Sequence, residues 1–204
     1  GGGELIGLIE TKDELEEADA IITALEKEIK LKKRNFSNFA ILYRTNAQSR
    51  PIEDSLRRMG IPYNIVGSIR FYDRKEVKDV LAYLRVLVNI KDTISLRRII
   101  NFPPRGIGVK TMDKCVIQAE LDNIDLFEVL IDAKKLSIRG KQTQSLISFY
   151  KLIKKYHELI DELDASEISR SLIEEAGILS LYKNSQEIND NESLENIKEL
   201  LNSI

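Results

Sequence analysis

Residues 67–89 divide the chain into two parts with different hydrophobic patterns. Before this stretch, short apolar runs at 5–9, 39–43 and 63–66 alternate with helical patterns, which is typical of a parallel sheet covered by helices. After it, apolar residues recur only at helical spacing. The predicted inward residues include Leu96, Ile99 and Ile100 in one helix and Leu146, Phe149, Ile153, Tyr156, Ile160 and Leu163 in a later, longer one. The sequence therefore predicts an α/β plus all-α fold. A partial parallel-sheet unit at 1–83 precedes a helical subdomain at 84–204, and the chain is mostly helical overall.

The dividing stretch has the period of a helix. Its predicted buried stripe consists of Val77, Leu81, Leu84 and Val88. Cations lie beside this stripe at Arg74, Lys78 and Arg85. They are either solvated charges at the rim of a packed seam or groups available to an anion.

Charge is distributed unevenly along the chain. The net charge of −2 argues against a generic nucleic-acid binder. Residues 91–118, however, hold six basic and two acidic side chains, whereas residues 156–204 hold twelve acidic and three basic ones. This asymmetry indicates one surface suited to an anion and another that repels it.

A Gly-x-Gly turn joins two predicted helices within residues 93–121 and gives a helix-hairpin-helix-like element. Gly106 and Gly108 permit positive φ and close backbone approach, and Ile107 between them can anchor the turn in the core. The amides that open the second helix would face an anion, surrounded by Arg105, Lys110 and Lys114. A phosphate of duplex DNA would fit there, although the Gly-x-Gly pattern by itself is also that of a plain interhelix turn.

A second candidate site follows the second predicted strand. Functional groups of parallel sheets gather at the carboxyl ends of strands, where Tyr43, Arg44, Thr45 and Asn46 stand. Asn46 or Thr45 also suits the N-cap of the following helix. Capping and anion binding are compatible, because a helix N-terminus is itself an anion site.

Several kinds of chemistry have no residues to support them. The sequence contains no Gly-x-x-x-x-Gly-Lys-Ser/Thr phosphate loop. His157 is the only histidine, which excludes His-based zinc sites and Ser-His triads, and we expect it at the surface and expect no metal site. Cys115 is alone, so we expect no internal disulfide and a cytoplasmic location. No run of apolar residues predicts a membrane span.

Three segments carry a family resemblance: FAILYRTNAQSRPIEDSLRRMGIPYNIVG, FYDRKEVKDVLAYLRV and RRIINFPPRGIGVKTMDK. They resemble the UvrD/Rep/PcrA-type superfamily 1 ATP-dependent DNA helicases, most densely over residues 39–114. The resemblance covers part of the RecA-like subdomain 2A and much of the inserted helical subdomain 2B. Met112 departs from it, because many such hairpin motifs carry a small residue there.

The resemblance implies a parent enzyme that moves 3′ to 5′ on single-stranded DNA and unwinds duplex, as in DNA repair, with ATP and Mg²⁺ as cofactors. It implies single-strand contacts at Tyr43, Arg44, Asn46, Arg74 and Lys78. It implies duplex contacts at Arg105, Gly106, Ile107, Gly108, Lys110 and Lys114.

The expected partners are DNA, the other RecA-like subdomain of the same parent and regulatory proteins, but no membrane. Without a phosphate loop the chain is expected to bind no cofactor and to be inactive alone. Two alternatives stay open: a protein-interaction or autoinhibitory helical module, and part of a RecB/AddA-type helicase–nuclease.

Overall fold

The computed structural model describes residues 5–66, 69–138, 140–185 and 188–204. The chain forms two compact units, Gly1–Arg74 and Lys75–Ile204. The predicted boundary at residue 83 therefore falls inside a helix that belongs wholly to the second unit. The described residues are mostly helical, as the sequence predicts.

The first unit contains two α-helices, α1 (Glu14–Lys32) and α2 (Ser49–Arg58), and three short 3₁₀ turns at Phe36–Asn38, Asn46–Gln48 and Phe71–Asp73. Asp13 caps α1 because its Oδ1 accepts a hydrogen bond from the Glu16 amide at 2.8 Å. The two helices pack on each other around a small core made of Ile22, Leu56 and Ile61, with Ile41, Ile52 and Tyr63 at its edge.

The predicted sheet is not observed in the described residues. The segments 5–9, 39–43 and 63–66 form neither a strand nor a helix. Leu5, Leu42 and Val66 are each more than 90% exposed. A β-strand needs a neighbour to complete its backbone hydrogen bonds, and the described residues of this unit supply none.

The second unit contains α3 (Lys75–Val88), α4 (Thr93–Ile99), α5 (Val109–Asp122), α6 (Leu126–Val129) and α7 (Gly140–Glu158). It continues with α8 (Ala165–Glu175), α9 (Ile178–Lys183) and α10 (Ile188–Asn202), and a 3₁₀ turn at Ala133–Leu136 precedes α7. Among the described residues, no helix is long and apolar enough to cross a membrane.

Helix α3 is the centre of this unit, and its buried face is wider than predicted. It packs against α4, α7, α8 and α10. Side chains around much of its circumference are therefore buried: Val77, Val80, Ala82, Tyr83, Val86 and Leu87. The predicted stripe was largely wrong, because only Val77 of its four residues is buried, Leu81 and Leu84 are half-buried, and Val88 is 68% exposed. A helix enclosed on several sides cannot be described by one apolar stripe.

Two buried carboxylates of α3 accept hydrogen bonds from side chains of the neighbouring helices α4 and α10. Asp79 Oδ1 accepts from Arg98 Nε of α4 at 2.7 Å. Burial raises the pKa of Asp79 above its usual value, and the Arg98 charge acts in the opposite direction. Glu76 Oε1 accepts from Asn196 Nδ2 of α10 at 2.7 Å. Polar groups on α3 thus specify which helices lie against it.

The predicted inward residues of the later helices are largely confirmed. Leu96, Ile99 and Ile100 of the α4 segment are at most 2% exposed. In α7, the residues buried as predicted are Leu146, Phe149, Ile153 and Tyr156. His157 was expected at the surface, but it is half-buried and its Nδ1 lies 2.7 Å from the Leu87 carbonyl oxygen. The end of α3 leaves unpaired carbonyls that such a side chain can satisfy.

Candidate nucleic-acid interface

The hairpin between α4 and α5 is organised by one asparagine. Asn101 Oδ1 accepts hydrogen bonds from the amides of Arg105 at 2.8 Å and Ile107 at 3.0 Å. Gly106 lies between them with φ +74°, a conformation that glycine adopts without strain. Gly108 has φ −82°, so only the first glycine uses positive φ. Asn101 carries no motif in the sequence, and only the folded loop shows its role.

Ile107 anchors the hairpin as expected, since it is 3% exposed. The Gly108 carbonyl then accepts from the amides of Thr111 at 3.0 Å and Met112 at 3.1 Å, which begins α5. The first amides of an α-helix have no carbonyl of their own helix to bind. Val109 is 76% exposed and Lys110 is exposed. The positive end of the 14-residue helix α5 therefore opens toward solvent beside a cation.

Arg105 was expected to face an anion, and the structure places its guanidinium inside the unit instead. Its Nη1 donates to the carbonyls of Phe102 at 2.7 Å and Pro103 at 3.2 Å, and its Nη2 donates to the Tyr83 hydroxyl at 2.8 Å. The guanidinium also lies 5.2 Å from the centre of the Phe149 ring. Arg105 therefore stabilises the hairpin, because its Nη1 and Nη2 groups donate hydrogen bonds to the chain's own oxygens.

Tyr83 belongs to the same hydrogen-bond network. Its hydroxyl donates to the Phe102 carbonyl while it accepts from Arg105. Burial raises the pKa of Tyr83 to about 12, with the Arg105 charge acting in the opposite direction. The hydroxyl therefore keeps its proton at neutral pH and remains a donor.

Helix α7 covers the back of the hairpin. Ser145 Oγ donates to the Arg105 carbonyl at 2.9 Å, and Gln142 Nε2 donates to the Gly106 carbonyl at 3.1 Å. These bonds occupy carbonyl oxygens that would repel an anion. Neither residue was identified from the sequence, because they lie about 40 positions away along the chain.

The two predicted lysines of α5 are both exposed. Lys114 Nζ donates to the Ser137 carbonyl at 2.9 Å, which holds it on the side of α5 that faces the segment before α7. Lys110 stands one turn earlier, at the exposed amides. The hairpin thus presents two lysines and the start of α5, a set that can bind a phosphate without reading a base.

The candidate site of the first unit is built around the 3₁₀ turn at Asn46–Gln48. Thr45 is its N-cap, and Gln48 Oε1 accepts from the amides of Arg44 and Thr45, each at 3.0 Å. Capping therefore falls to Thr45 and Gln48 and not to Asn46. Asn46 and Tyr43 are half-buried, and Arg44 is exposed.

Arg74 does not face solvent, contrary to the expectation of a DNA contact. It is 5% exposed, and its guanidinium donates to the carbonyls of Ile69 at 3.2 Å and Asn46 at 3.0 Å and to Ser49 Oγ at 3.2 Å. Lys78 is exposed, but it belongs to the second unit. The predicted single-strand set is therefore divided between the two units.

Comparison with known proteins gives one family and a group of similar relatives. The family model described as UvrD-like helicase C-terminal domain matches residues 1–204. Two proteins named ATP-dependent DNA helicase PcrA, from Staphylococcus epidermidis and Staphylococcus aureus, are 40% and 37% identical to this chain over 200 and 199 residues. Each alignment covers 98% of this chain but 27% of the relative, so the chain spans about a quarter of the relatives' length.

Proposed function

Because the chain belongs to the UvrD-like helicase C-terminal domain family, we propose that it is part of an ATP-dependent DNA helicase that moves 3′ to 5′. In this proposal the second unit holds the backbone of duplex DNA through the hairpin, as a helix-hairpin-helix-like element. The first unit contributes to the track for single-stranded DNA. The observation that carries the proposal is the exposed start of α5, with Lys110 beside it and the Arg105 and Gly106 carbonyls occupied by hydrogen bonds from α7.

The duplex contact rests on electrostatics. A phosphate placed at the start of α5 would meet free amides and the positive end of the helix. Lys110 and Lys114 would add charge, whereas Arg105, Gly106 and Ile107 position the loop without contributing a free cation. Such binding ignores base sequence, as a helicase that moves along DNA requires.

The single-strand contact rests on fewer groups. Tyr43 supplies a half-buried aromatic ring on which a base can stack, and Arg44 supplies an exposed cation. Asn46 offers a half-buried amide next to them. Arg74 supports this site from behind by binding the Asn46 carbonyl.

The three apolar segments of the first unit, 5–9, 39–43 and 63–66, are proposed to become strands within the longer protein. Two of them, 39–43 and 63–66, border an open cleft of about 810 Å³ whose lining includes Phe39, Leu42, Ile65 and Val66. Exposed apolar residues in segments of strand character are suited to pairing with further strands. The partner in this proposal is the rest of a RecA-like sheet.

ATP binding is not supported by the residues present, since the sequence holds no phosphate loop. In P-loop NTPases, phosphoryl transfer uses that loop together with a metal-binding carboxylate and an arginine that stabilises the γ-phosphate charge. We therefore expect the purified 204-residue chain to show no ATP hydrolysis, with or without single-stranded DNA. A coupled phosphate-release assay measures this, and turnover stimulated by DNA would contradict it.

The duplex role predicts a salt-sensitive loss of binding when the two α5 lysines are neutralised. In K110A/K114A, the affinity for a labelled duplex falls, and the slope of log K against log salt decreases by roughly one unit per lost contact. Fluorescence anisotropy across a salt series measures both quantities. K183A/K198A removes the same charge from the acidic part of the chain and serves as the matched control.

An unchanged affinity in K110A/K114A would contradict the duplex role. It would favour the alternative of a protein-interaction or autoinhibitory module. One observation supports that alternative: the outer side of α5 and the residues after it expose Ile117, Leu121 and Ile124, which are 56%, 75% and 44% exposed.

A further inference from the structure

Helix α7 combines a position against the hairpin with an unusual charge pattern. Four lysines occur between its first residue and His157, and its first acidic residue is Glu158. The segment that follows is strongly acidic, with twelve carboxylates against three cations from residue 156 onward. Helix α7 is therefore a basic element at the border of a surface that repels DNA.

Part of this basic character is concentrated on one exposed side. The residues concerned, which we call the α7 strip, are Lys141, Gln144, Ser148 and Lys151. Their spacing of three, four and three residues places them in one row along a helix. The opposite side of α7 is buried through Leu146, Phe149 and Ile153. The row therefore faces away from the core.

An open cleft of about 530 Å³ separates the beginning of this row from the hairpin. One wall is formed by Pro104, Arg105 and Gly106, and the other includes Lys141, Gln144 and Ser148. The Arg105 and Gly106 carbonyls are occupied by Ser145 and Gln142, as described above. The cleft is consequently lined by the Lys141 cation, the Gln144 amide and the Ser148 hydroxyl. Gln144 Nε2 donates to Ser148 Oγ at 3.4 Å, and each of the three groups carries an N–H or O–H that can donate to an anion.

The other two lysines of α7, Lys154 and Lys155, contact groups of the chain itself, so they do not extend the α7 strip. Lys155 Nζ lies 2.5 Å from Glu175 Oε2, an oxygen that also accepts from the Tyr156 hydroxyl at 2.6 Å. Lys154 Nζ lies 5.6 Å from the centre of the Tyr150 ring and donates to the Tyr150 hydroxyl at 3.3 Å. The basic surface therefore ends where the acidic helices begin.

We infer that the α7 strip is a second contact for the sugar–phosphate backbone of duplex DNA, continuing the path that begins at the hairpin. The inference rests on the proposed duplex role. From Lys141 to Lys151 the helix rises about 15 Å. Each DNA strand carries one phosphate about every 3.4 Å along the axis, so the strip spans about four base pairs. Its donors bind phosphate without selecting a sequence.

The test compares two lysine pairs on the same helix in the 204-residue chain. K141A/K151A removes the strip, and K154A/K155A removes the same charge from the side engaged by Tyr150 and Glu175. We expect K141A/K151A to weaken binding of a labelled duplex by roughly five- to tenfold per lysine near 0.1 M salt and to lower the salt slope by about two. K154A/K155A should have little effect. Circular dichroism verifies that both variants stay folded.

The possible outcomes separate this inference from the duplex role of the hairpin. Unchanged binding in K141A/K151A, with weakened binding in K110A/K114A, would overturn the α7 contact and leave the hairpin contact standing. An equal loss in K154A/K155A would also overturn it, because the effect would then be one of total charge. If neither K141A/K151A nor K110A/K114A altered binding, both proposals would fail.

Discussion

Replacing Arg105 by alanine should destabilise the second unit by about 3 kcal/mol. The guanidinium donates to the carbonyls of Phe102 and Pro103 and to Tyr83, and it contacts the Phe149 ring. The smaller side chain leaves these acceptors without a charged donor and removes the cation–π contact. Urea unfolding followed by circular dichroism measures the change in free energy.

The matched control is R97A on the neighbouring helix α4. Arg97 is half exposed, and its nearest carboxylate oxygen, on Asp113, is 4.0 Å away. Exposed ion pairs of this kind contribute at most about 1 kcal/mol, so R97A should leave the unfolding free energy almost unchanged. Equal stability of R105A and R97A would show that the Arg105 contacts do not hold the hairpin.

The comparison also separates two roles that the sequence does not distinguish. If the role of Arg105 is to stabilise the hairpin, R105A lowers the unfolding free energy of the unit. K110A/K114A then weakens duplex binding and leaves that free energy unchanged. If Arg105 were a direct phosphate contact, R105A would lower the salt slope while the unit stayed as stable as before. The hydrogen bonds of its guanidinium favour the first result.

Replacing Arg74 by alanine should destabilise the first unit by about 3 kcal/mol. Arg74 is 5% exposed and donates to the carbonyls of Ile69 and Asn46 and to Ser49 Oγ. Ser49 Oγ in turn donates to the buried Glu53 carboxylate at 2.9 Å. Removing a buried cation from such a network leaves polar groups without partners. Thermal and urea unfolding measure the loss.

R44A is the matched control for Arg74 and has the opposite expected result. Arg44 is exposed, so its loss should leave the stability of the unit unchanged and weaken binding of single-stranded DNA. Single-strand binding is measured at a temperature where both variants are folded. If R74A were fully stable and bound single-stranded DNA more weakly than R44A, the structural assignment of Arg74 would be wrong.

The sequence alone determined the family and most of the helical unit. The resemblance in residues 39–114 led to the same family as the whole-chain match. Helical spacing identified α4, α5 and α7 and most of their buried residues, because those helices pack mainly along one side. Ile107 was correctly predicted as the buried residue of the hairpin, because it is the apolar residue between the two glycines of the turn.

Predictions from the sequence were wrong where the structure of a segment depends on which other segments pack or pair with it. The apolar runs at 5–9, 39–43 and 63–66 have strand character, but strand pairing requires neighbours that the described part of the chain does not provide. The stripe predicted for α3 was largely wrong, since only Val77 of its four residues is buried. The four helices that pack against α3 bury Val80, Tyr83 and Val86 instead, and the sequence period does not show where those helices lie.

Only the tertiary structure decided what the cations do. Arg74 and Arg105 were predicted to contact DNA, as were Lys110 and Lys114, because the sequence shows each as a basic residue near a plausible site. Folding brings carbonyls and a tyrosine hydroxyl around the two arginines and leaves the two lysines exposed. The guanidinium groups of Arg74 and Arg105 donate to oxygens of their own chain, which leaves them less able to bind a phosphate. Some of these oxygens lie nearby in sequence, but those of Asn46, Ser49 and Tyr83 come from residues at least 22 positions away that only the fold brings together.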